Sequence, residues 1–277
     1  MKCAFLTCED LPNMIDEELA LIKLLAKKNI DVDIVIWSQK TNWSSYECVV
    51  IRTTWDYYLQ SDLFLGVLQE IADSGCRLFN TLDIVRWNTN KNYLIDLQQK
   101  GIPVIPTKII ASQQERRTLF SLWKTNKVVI KPTISAGAYH TYLVEENQKI
   151  EIPDLPVFYM AQPFCESVVS EGEWSFMFFG GQFSHAIIKR PQKNDFRVQE
   201  EHGGSVLLVK PEAADLEQAT KVIESIPIQL YARVDMIRYE HKLHLVELEL
   251  IEPQLYFQNS TAALSSFVEA FCNLSRK

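Results

Sequence analysis

A chain of 277 residues that is 47% apolar and 23% charged has the composition of an ordinary globular protein, long enough for one large domain or for two to three smaller ones. Its formal net charge of −7 and pI near 5.4 argue against a general nucleic-acid binder, which carries a basic face. No run approaches the roughly 18 uninterrupted apolar residues of a membrane helix. The opening M-K-C-A-F-L-T-C-E-D has too short an apolar run for a secretory signal, and the six scattered cysteines form no C-x-x-C, so reduced thiols in a cytoplasmic protein are expected.

In chain order, the first third alternates strand and helix. Strands are predicted at Lys2–Thr7, Asp31–Trp37, Cys48–Arg52 and Arg77–Phe79, with helices at Asp16–Lys28 and Ser61–Ser74, the second stopped by Gly75. Strands separated by helices of this length imply a parallel sheet covered by helices, with ligands collecting beyond the carboxyl ends of the strands. Arg52 and the following T-T-W-D-Y occupy such a position.

From about Leu82 the character changes to a small α+β module. It has a helix over Asn90–Lys100, strands at Thr107–Ala111, Lys127–Lys131 and His140–Val144, and a helix over Ser112–Lys124. Beyond Val157 the chain is strand-rich, with strands at Phe158–Gln162, Trp174–Phe179 and Phe183–Lys189, then a polar stretch, Gln192–Gly204, that reads as a mobile loop. A helix near Pro211–Ser225, a hairpin and a closing helix from Ser260 to Leu274 complete the chain. The expected division is 1–84, 85–157 and 158–277, within an α/β and α+β fold class.

The hairpin carries the strongest chemical signal. Its arms, Y-A-R-V-D-M-I-R and L-H-L-V-E-L-E-L-I-E-P, are apolar strands that contain Asp235, Glu247 and Glu249. With strand alternation, Glu247 and Glu249 share one face and Val246, Leu248 and Leu250 the other. If Asp235 lies opposite Glu247, three carboxylates converge, and clustered anions in apolar surroundings need a cation. Hard oxygen ligands of this kind suit Mg²⁺ bridging to phosphates, whereas a solvated acidic face is the plain alternative. That pairing calls for a turn centred on His241, because a turn centred between Glu240 and His241 would send Asp235 to the opposite face. His241 and His244, three apart on a strand, face opposite ways and do not chelate together.

Basic residues recur at strand and helix ends: Lys91 in R-W-N-T-N-K, Lys131 in V-V-I-K-P, Lys189 and Arg190 in H-A-I-I-K-R-P, and Arg197 in the polar loop. Cations beside a carboxylate cluster suggest a polyphosphate neutralised from two sides. With 9 glycines and neither G-x-G-x-x-G nor G-x-x-x-x-G-K-[ST], a nucleotide site here has to be built without either glycine loop.

In this order of motifs the chain resembles the ATP-grasp superfamily of carboxylate–amine ligases, most closely the glutathione synthetase-type branch. The likeness runs from V-V-I-R-T-T-W-D-Y through Lys91, Lys131, the hinge M-A-Q-P-F and a Gly-Gly pair to V-E-L-E-L-I-E-P. Within that branch it is similar to small ligases such as the cyclo-ligase that closes the cycloserine ring. The resemblance implies an ATP-grasp fold behind a Rossmann-like N-terminal domain, and an ATP- and Mg²⁺-dependent enzyme that joins a small-molecule carboxylate to an amine.

Position by position, the resemblance implies Lys91 and Lys131 at the ATP phosphates, the backbone of Gln162, Phe164 and Cys165 at the adenine edge, and Glu173 at the ribose. It implies Asp235, Glu247 and Glu249 at two Mg²⁺ ions, with Mn²⁺ as a substitute. Where the family often has Asn, this chain has Glu249 and so one more negative charge. Arg190, Arg197, Gly203 and Gly204 are implied near the γ-phosphate and the activated substrate, with Arg52, Arg190 and Arg197 as grips for the substrate carboxylate. The loop P-T-I-S-A-G-A-Y-H-T has the single glycine Gly137, poorer than the family's usual phosphate-covering loop, so Tyr139 and His140 narrow it, stiffen it or pack elsewhere. His140, His185 and His202 read as structural or solvated. Nucleic acid and membrane are not expected partners, and a homo-oligomer stays open. The rival readings are a kinase on the same scaffold, a non-catalytic nucleotide-binding protein, and an α/β sugar- or amino-acid-binding module with a wet acidic hairpin.

Overall fold

The computed structural model describes residues 1–110, 113–146, 158–193, 195–198 and 203–276. Ala111, Ser112, His202, the 157/158 boundary and part of the Gln192–Gly204 stretch lie outside the described residues.

The N-terminal strands β1 (Lys2–Thr7), β2 (Asp31–Ile36), β3 (Cys48–Thr53) and β4 (Arg77–Phe79) form one parallel sheet in the order β2-β1-β3-β4. Helices α1 (Asp16–Ala26) and α2 (Ser61–Asp73) are the crossovers the apolar spacing requires. The region expected to hold one helix from Asn90 holds two, α3 (Leu82–Thr89) and α4 (Tyr93–Gln99). Lys91 stands in the turn between them rather than on a helix.

A second sheet, antiparallel, orders β5 (Lys108–Ile110), β8 (Tyr159–Pro163), β6 (Lys127–Pro132) and β7 (Tyr142–Glu145), with α5 (Gln113–Trp123) beside it. Because β8 runs between β5 and β6, this sheet extends past the boundary expected after residue 157. The third sheet orders β11 (Ser205–Val209), β10 (Gln182–Arg190), β9 (Glu173–Phe179), β12 (Tyr231–Tyr239) and β13 (Lys242–Glu249). A short helix, α6 (Ser167–Ser170), precedes β9. The strand β11 and α6 carry no strong periodic signal and were not expected from the sequence.

One face of the third sheet, with Phe176, Val234 and Leu248, joins α7 (Ala213–Glu224) in a core that continues through Leu6 and Ile51 of the N-terminal sheet to Phe64 of α2. Part of the other face packs Met177, Phe179 and Ile187 on Phe267 and Phe271 of α8 (Ala263–Ser275). The rest of that face is left to the acids and bases. Among the described residues no helix is long and apolar enough to cross a membrane.

Candidate active site

Asp235 does pair with Glu247, and Arg233 with Glu249, but not through the expected turn. Tyr239 pairs with Lys242, so the turn holds two residues, Glu240 and His241, both left-handed at φ 47° and 71°, the geometry of a type I′ hairpin. That register alone would put Asp235 opposite Val246. A β-bulge between Asp235 and Met236 adds one residue on the β13 side and restores the Asp235–Glu247 pair. Before the bulge, Leu243 and Leu245 face the core; after it, Leu248 and Leu250 do. Val246 is thereby turned to the site face, against Val168 and Ile237, which corrects the expectation that it shares a face with Leu248. The parity break in L-H-L-V-E-L-E-L is the sequence signal of this bulge.

The outer edge of β13 is capped by side chains. The Leu248 N–H donates to Tyr93 Oη at 2.9 Å, and Asn88 takes the Leu250 N–H while donating to the Leu248 carbonyl. Asn88 and Tyr93 flank the α3–α4 turn, so their docking delivers Lys91 to Glu247 at 3.1 Å. Lys91 also donates from Nζ to the Ser135 carbonyl at 2.6 Å and from its backbone to Thr133, fastening the loop after β6. Lys131, at the end of β6, reaches the other oxygen of Glu247 at 3.4 Å.

A second charge group lies alongside. Lys189 bonds Glu173 at 2.6 Å and Asp235 at 3.3 Å, while Ser175 donates to Asp235 at 2.5 Å. Arg233 grips Asp235 at 2.9 Å and pairs with Glu249. Gly172 makes the Glu173–Lys189 approach possible. Its φ is 109°, and a Cβ there would fall 2.7 Å from the Lys189 carbonyl oxygen.

Burial opposes ionisation of Glu247 and Asp235, yet Lys91 and Lys131 hold the first, and Arg233 and Lys189 the second, down at about 2. Glu249 is different: burial first, then Asp235 and Glu247, lift it to about 7 despite Arg233. Burial raises Glu173 as well. Burial disfavours charge on Lys189, but Asp235 and Glu173 hold its pKa above the ordinary lysine value.

These groups line a cavity of about 560 Å³, in the range of small-ligand sites. At one end Val129, Val168, Ile237 and Val246 form an apolar slot beside the hinge residues Gln162, Phe164 and Cys165. The Phe164 N–H is already donated to the Lys127 carbonyl, so that hinge donor is committed. At the other end stand Trp55, Tyr57, Tyr58 and Glu252. Tyr139 also lines the cavity and meets Tyr58 ring to ring at 5.0 Å, so the glycine-poor loop narrows the opening. His140 bonds the Tyr142 hydroxyl and His185 is buried against the Leu255 carbonyl, both local structural contacts.

The three carboxylates share a face without forming a ready metal cluster. Among the described residues no group of three or more His, Cys, Asp or Glu is arranged to hold a metal ion, because each carboxylate is turned to a lysine or arginine. The donor set nevertheless fits a hard divalent cation. It is all oxygen, and burial, then the Asp235 and Glu247 charges, disfavour the Glu249 anion, which a bound cation would relieve.

Two expected arginine grips are placed elsewhere. Arg52 is 1% exposed, holds Glu18 with Nε and Nη2 at 2.5–3.0 Å, and lies 4.9 Å from the Tyr231 ring centroid, a structural role beneath the cavity. Arg190 faces solvent and donates to the Glu171 carbonyl; alternation along β10 turns Lys189 inward instead. Arg197 does line the cavity, paired with Asp195 at 2.9 Å. Gly203 abuts the Gln192 side chain rather than the charged floor, and its neighbour Gly204 opens onto β11. Arg233, Ser175 and Glu252 were not singled out from the sequence, and Lys189 was noted there only as a strand-end base without a role of its own. For Arg233 the signal was its spacing two before Asp235, which puts both on one strand face.

The first 80 residues match a known domain: the family model described as the N-terminal domain of D-cycloserine synthetase DcsG fits residues 3–80. The cycloserine biosynthesis protein DcsG of Streptomyces lavendulae is 28% identical over 276 residues, covering 90% of this chain and 91% of that protein. The crystal structure of D-cycloserine synthetase DcsG superposes with a TM-score of 0.85 at 23% identity, covering 99% of this chain and 100% of that one. The ATP-grasp ligase PsnB, solved with a phosphomimetic variant of its minimal precursor, Mg and ADP, gives 0.70 at 11% identity over 99% of this chain and 98% of its own. With the charged cavity set between its two antiparallel sheets, the chain has the ATP-grasp fold, and its likeness to DcsG supports a ligase of the carboxylate–amine type.

Proposed function

We propose that the chain uses Mg²⁺ and ATP to activate a small-molecule carboxylate as its acyl phosphate and passes the acyl group to a nitrogen, closing a ring when that nitrogen belongs to the same molecule. The observation that carries this reading is the single cavity in which an apolar slot adjoins two lysines on Glu247 and a Lys189–Asp235–Arg233–Glu249 chain. The similarity to a cycloserine synthetase supports the cyclising form.

Val129, Val168, Ile237 and Val246 sandwich the adenine ring, and the remaining hinge groups of Gln162, Phe164 and Cys165 meet its edge. Lys91 and Lys131 let go of Glu247 and take phosphate oxygens, exchanging one anion for another at little electrostatic cost. Glu247, freed of the two lysines, and its neighbours Asp235 and Glu249 are the residues that would hold Mg²⁺, as two ions or with Mn²⁺ instead, and the ion would supply charge neutralisation for the phosphates. Glu173, at the start of β9, takes the ribose hydroxyls.

Arg233 and Lys189 steady the substrate carboxylate, with Arg197 at the mouth. One carboxylate oxygen bonds the γ-phosphorus as its bond to the ADP oxygen breaks. The neutral nitrogen then attacks the acyl carbon, and phosphate leaves with that original carboxylate oxygen. Tyr58 and Tyr139 over the opening keep water from the acyl phosphate.

A screen of ADP release against small acids, with and without a second amine, tests the reading. ADP and phosphate released with a C–N product support it. A stable phosphorylated product without a C–N bond indicates a kinase, and ATP binding without ADP release for any acid indicates a non-catalytic nucleotide binder.

A further inference from the structure

Between Leu255 and Phe257 the chain turns left-handed at Tyr256, with φ 51° and ψ 44°. Side chains from three parts of the fold hold this turn. Glu17 of α1 accepts the Phe257 N–H at 2.8 Å and the Gln254 side chain at 3.4 Å. Arg233 Nη1 donates to the Gln254 carbonyl at 3.1 Å and His185 Nε2 to the Leu255 carbonyl at 3.1 Å. Phe257 packs on Phe179 and Phe267, with ring centroids 5.9 and 5.7 Å away. A bulky residue rarely adopts this conformation, and one held in it from several sides points to a function. The turn sends Phe257 into the core and Tyr256 to the cavity wall, where the Tyr256 ring centroid lies 5.9 Å from Cζ of Arg233.

A buried tyrosine hydroxyl ordinarily finds a partner within the protein. Those of Tyr93 and Tyr231 do, on backbone groups. The Tyr256 hydroxyl has none among the described residues, although Lys189, Arg233, Asp235 and Glu249 all bear on it electrostatically. It is a spare neutral donor beside the cations that steady the substrate carboxylate. Resting on the ligase reading of this cavity, we propose that the Tyr256 hydroxyl is a catalytic donor of the second step, bonding the acyl oxygen that stays on carbon and holding the charge that gathers there. The nitrogen lone pair forms the C–N bond as the carbonyl π pair moves onto that oxygen. The pair then returns and phosphate leaves, taking the surplus proton of the nitrogen with it. Tyr256 keeps its own proton throughout, because burial raises its pKa above the ordinary tyrosine value. A hydroxyl bonds an oxyanion more strongly than a carbonyl, so its contribution falls on this step rather than on phosphoryl transfer.

The test follows single turnovers of Mg²⁺·ATP with enzyme in excess, reading ADP and hydroxamate separately. Glycine, alanine, serine, glycolate and lactate serve as acids, in both enantiomers where chiral, and hydroxylamine as the nucleophile. In the wild type the two products should appear together. In Tyr256→Phe, ADP should form within about threefold of the wild-type rate while hydroxamate trails by about 100-fold. The melting temperature should stay within about 2 °C, because the lost hydroxyl had no protein partner. ADP and hydroxamate slowed by the same factor would make Tyr256 a residue of binding or phosphoryl transfer, and hydroxamate at the wild-type rate would make it structural. Either result overturns the inference while leaving the ligase reading standing. Absence of ADP from the wild type with every acid overturns both.

Discussion

Asp235 of β12 stands opposite Glu247 of β13 only because Val246 is bulged out between Glu247 and the Tyr239–Lys242 end of the hairpin. The bulge lets one strand serve two purposes. It keeps leucines on the core on both sides of the irregularity, and it presents Val246 and Glu247 together to the cavity. Deleting Val246 straightens the ladder while preserving the Asp235–Glu247 pair, so the variant should fold. It removes an apolar wall of the nucleotide slot, a loss of roughly 1–2 kcal/mol, and the ATP KM should rise about tenfold in steady-state assays.

Lys189 and its neighbour Arg190 should respond in opposite ways. Lys189→Met leaves Glu173 without a basic partner and Asp235 with Arg233 alone in a buried setting, a destabilisation of roughly 3–5 kcal/mol, and ADP release should fall at least 100-fold. Arg190→Ala removes one exposed donor and should stay within about twofold of wild type in both melting temperature and rate.

Arg52 and Glu18 form a buried bidentate pair. Arg52→Met alone leaves Glu18 charged and unpaired and should lower stability by about 3–5 kcal/mol. The double variant Arg52→Met/Glu18→Leu should recover much of that loss. Denaturant unfolding of the four proteins of the cycle measures the coupling. An Arg52 variant of normal stability with a selectively raised substrate KM would contradict the structural assignment.

Glu252 gives a prediction in pH. Burial and then Glu249 raise its carboxyl from 4.5 to about 8, so the folded state binds its proton more tightly than the unfolded chain does. The stability this contributes is fully present below pH 4.5 and is lost as pH rises through about 8. Without nucleotide or metal, Glu252→Gln should therefore melt about 5 °C above wild type at pH 9, with the gap closing towards pH 5. Calorimetry across that range checks it.

The N-terminal sheet was legible because period-two strands and 3.6-period helices were separated by clean stops, such as Gly75 at φ 81°. The pairing of Asp235 with Glu247 was legible from the spacing of the acids, but its route was not. The Glu240–His241 turn lacks the Asn-Gly that marks a type I′ hairpin, and the bulge offsets the even-numbered turn. Arg190 was favoured over Lys189 because both end the same strand, and only the pairing of Lys189 with Glu173 fixes which one points inward. Arg52 looked like a site residue for its place at the end of β3. Its partner Glu18 comes from α1, a tertiary contact that local pattern does not reveal.

The central claim is that a carboxylate is activated as an acyl phosphate in this cavity. It is tested most directly with an acid that supports ADP release, labelled with ¹⁸O in both carboxyl oxygens, followed by mass analysis of the phosphate released with the C–N product. One ¹⁸O atom in each phosphate is the predicted result. Phosphate free of label, released alongside C–N product, would contradict the account.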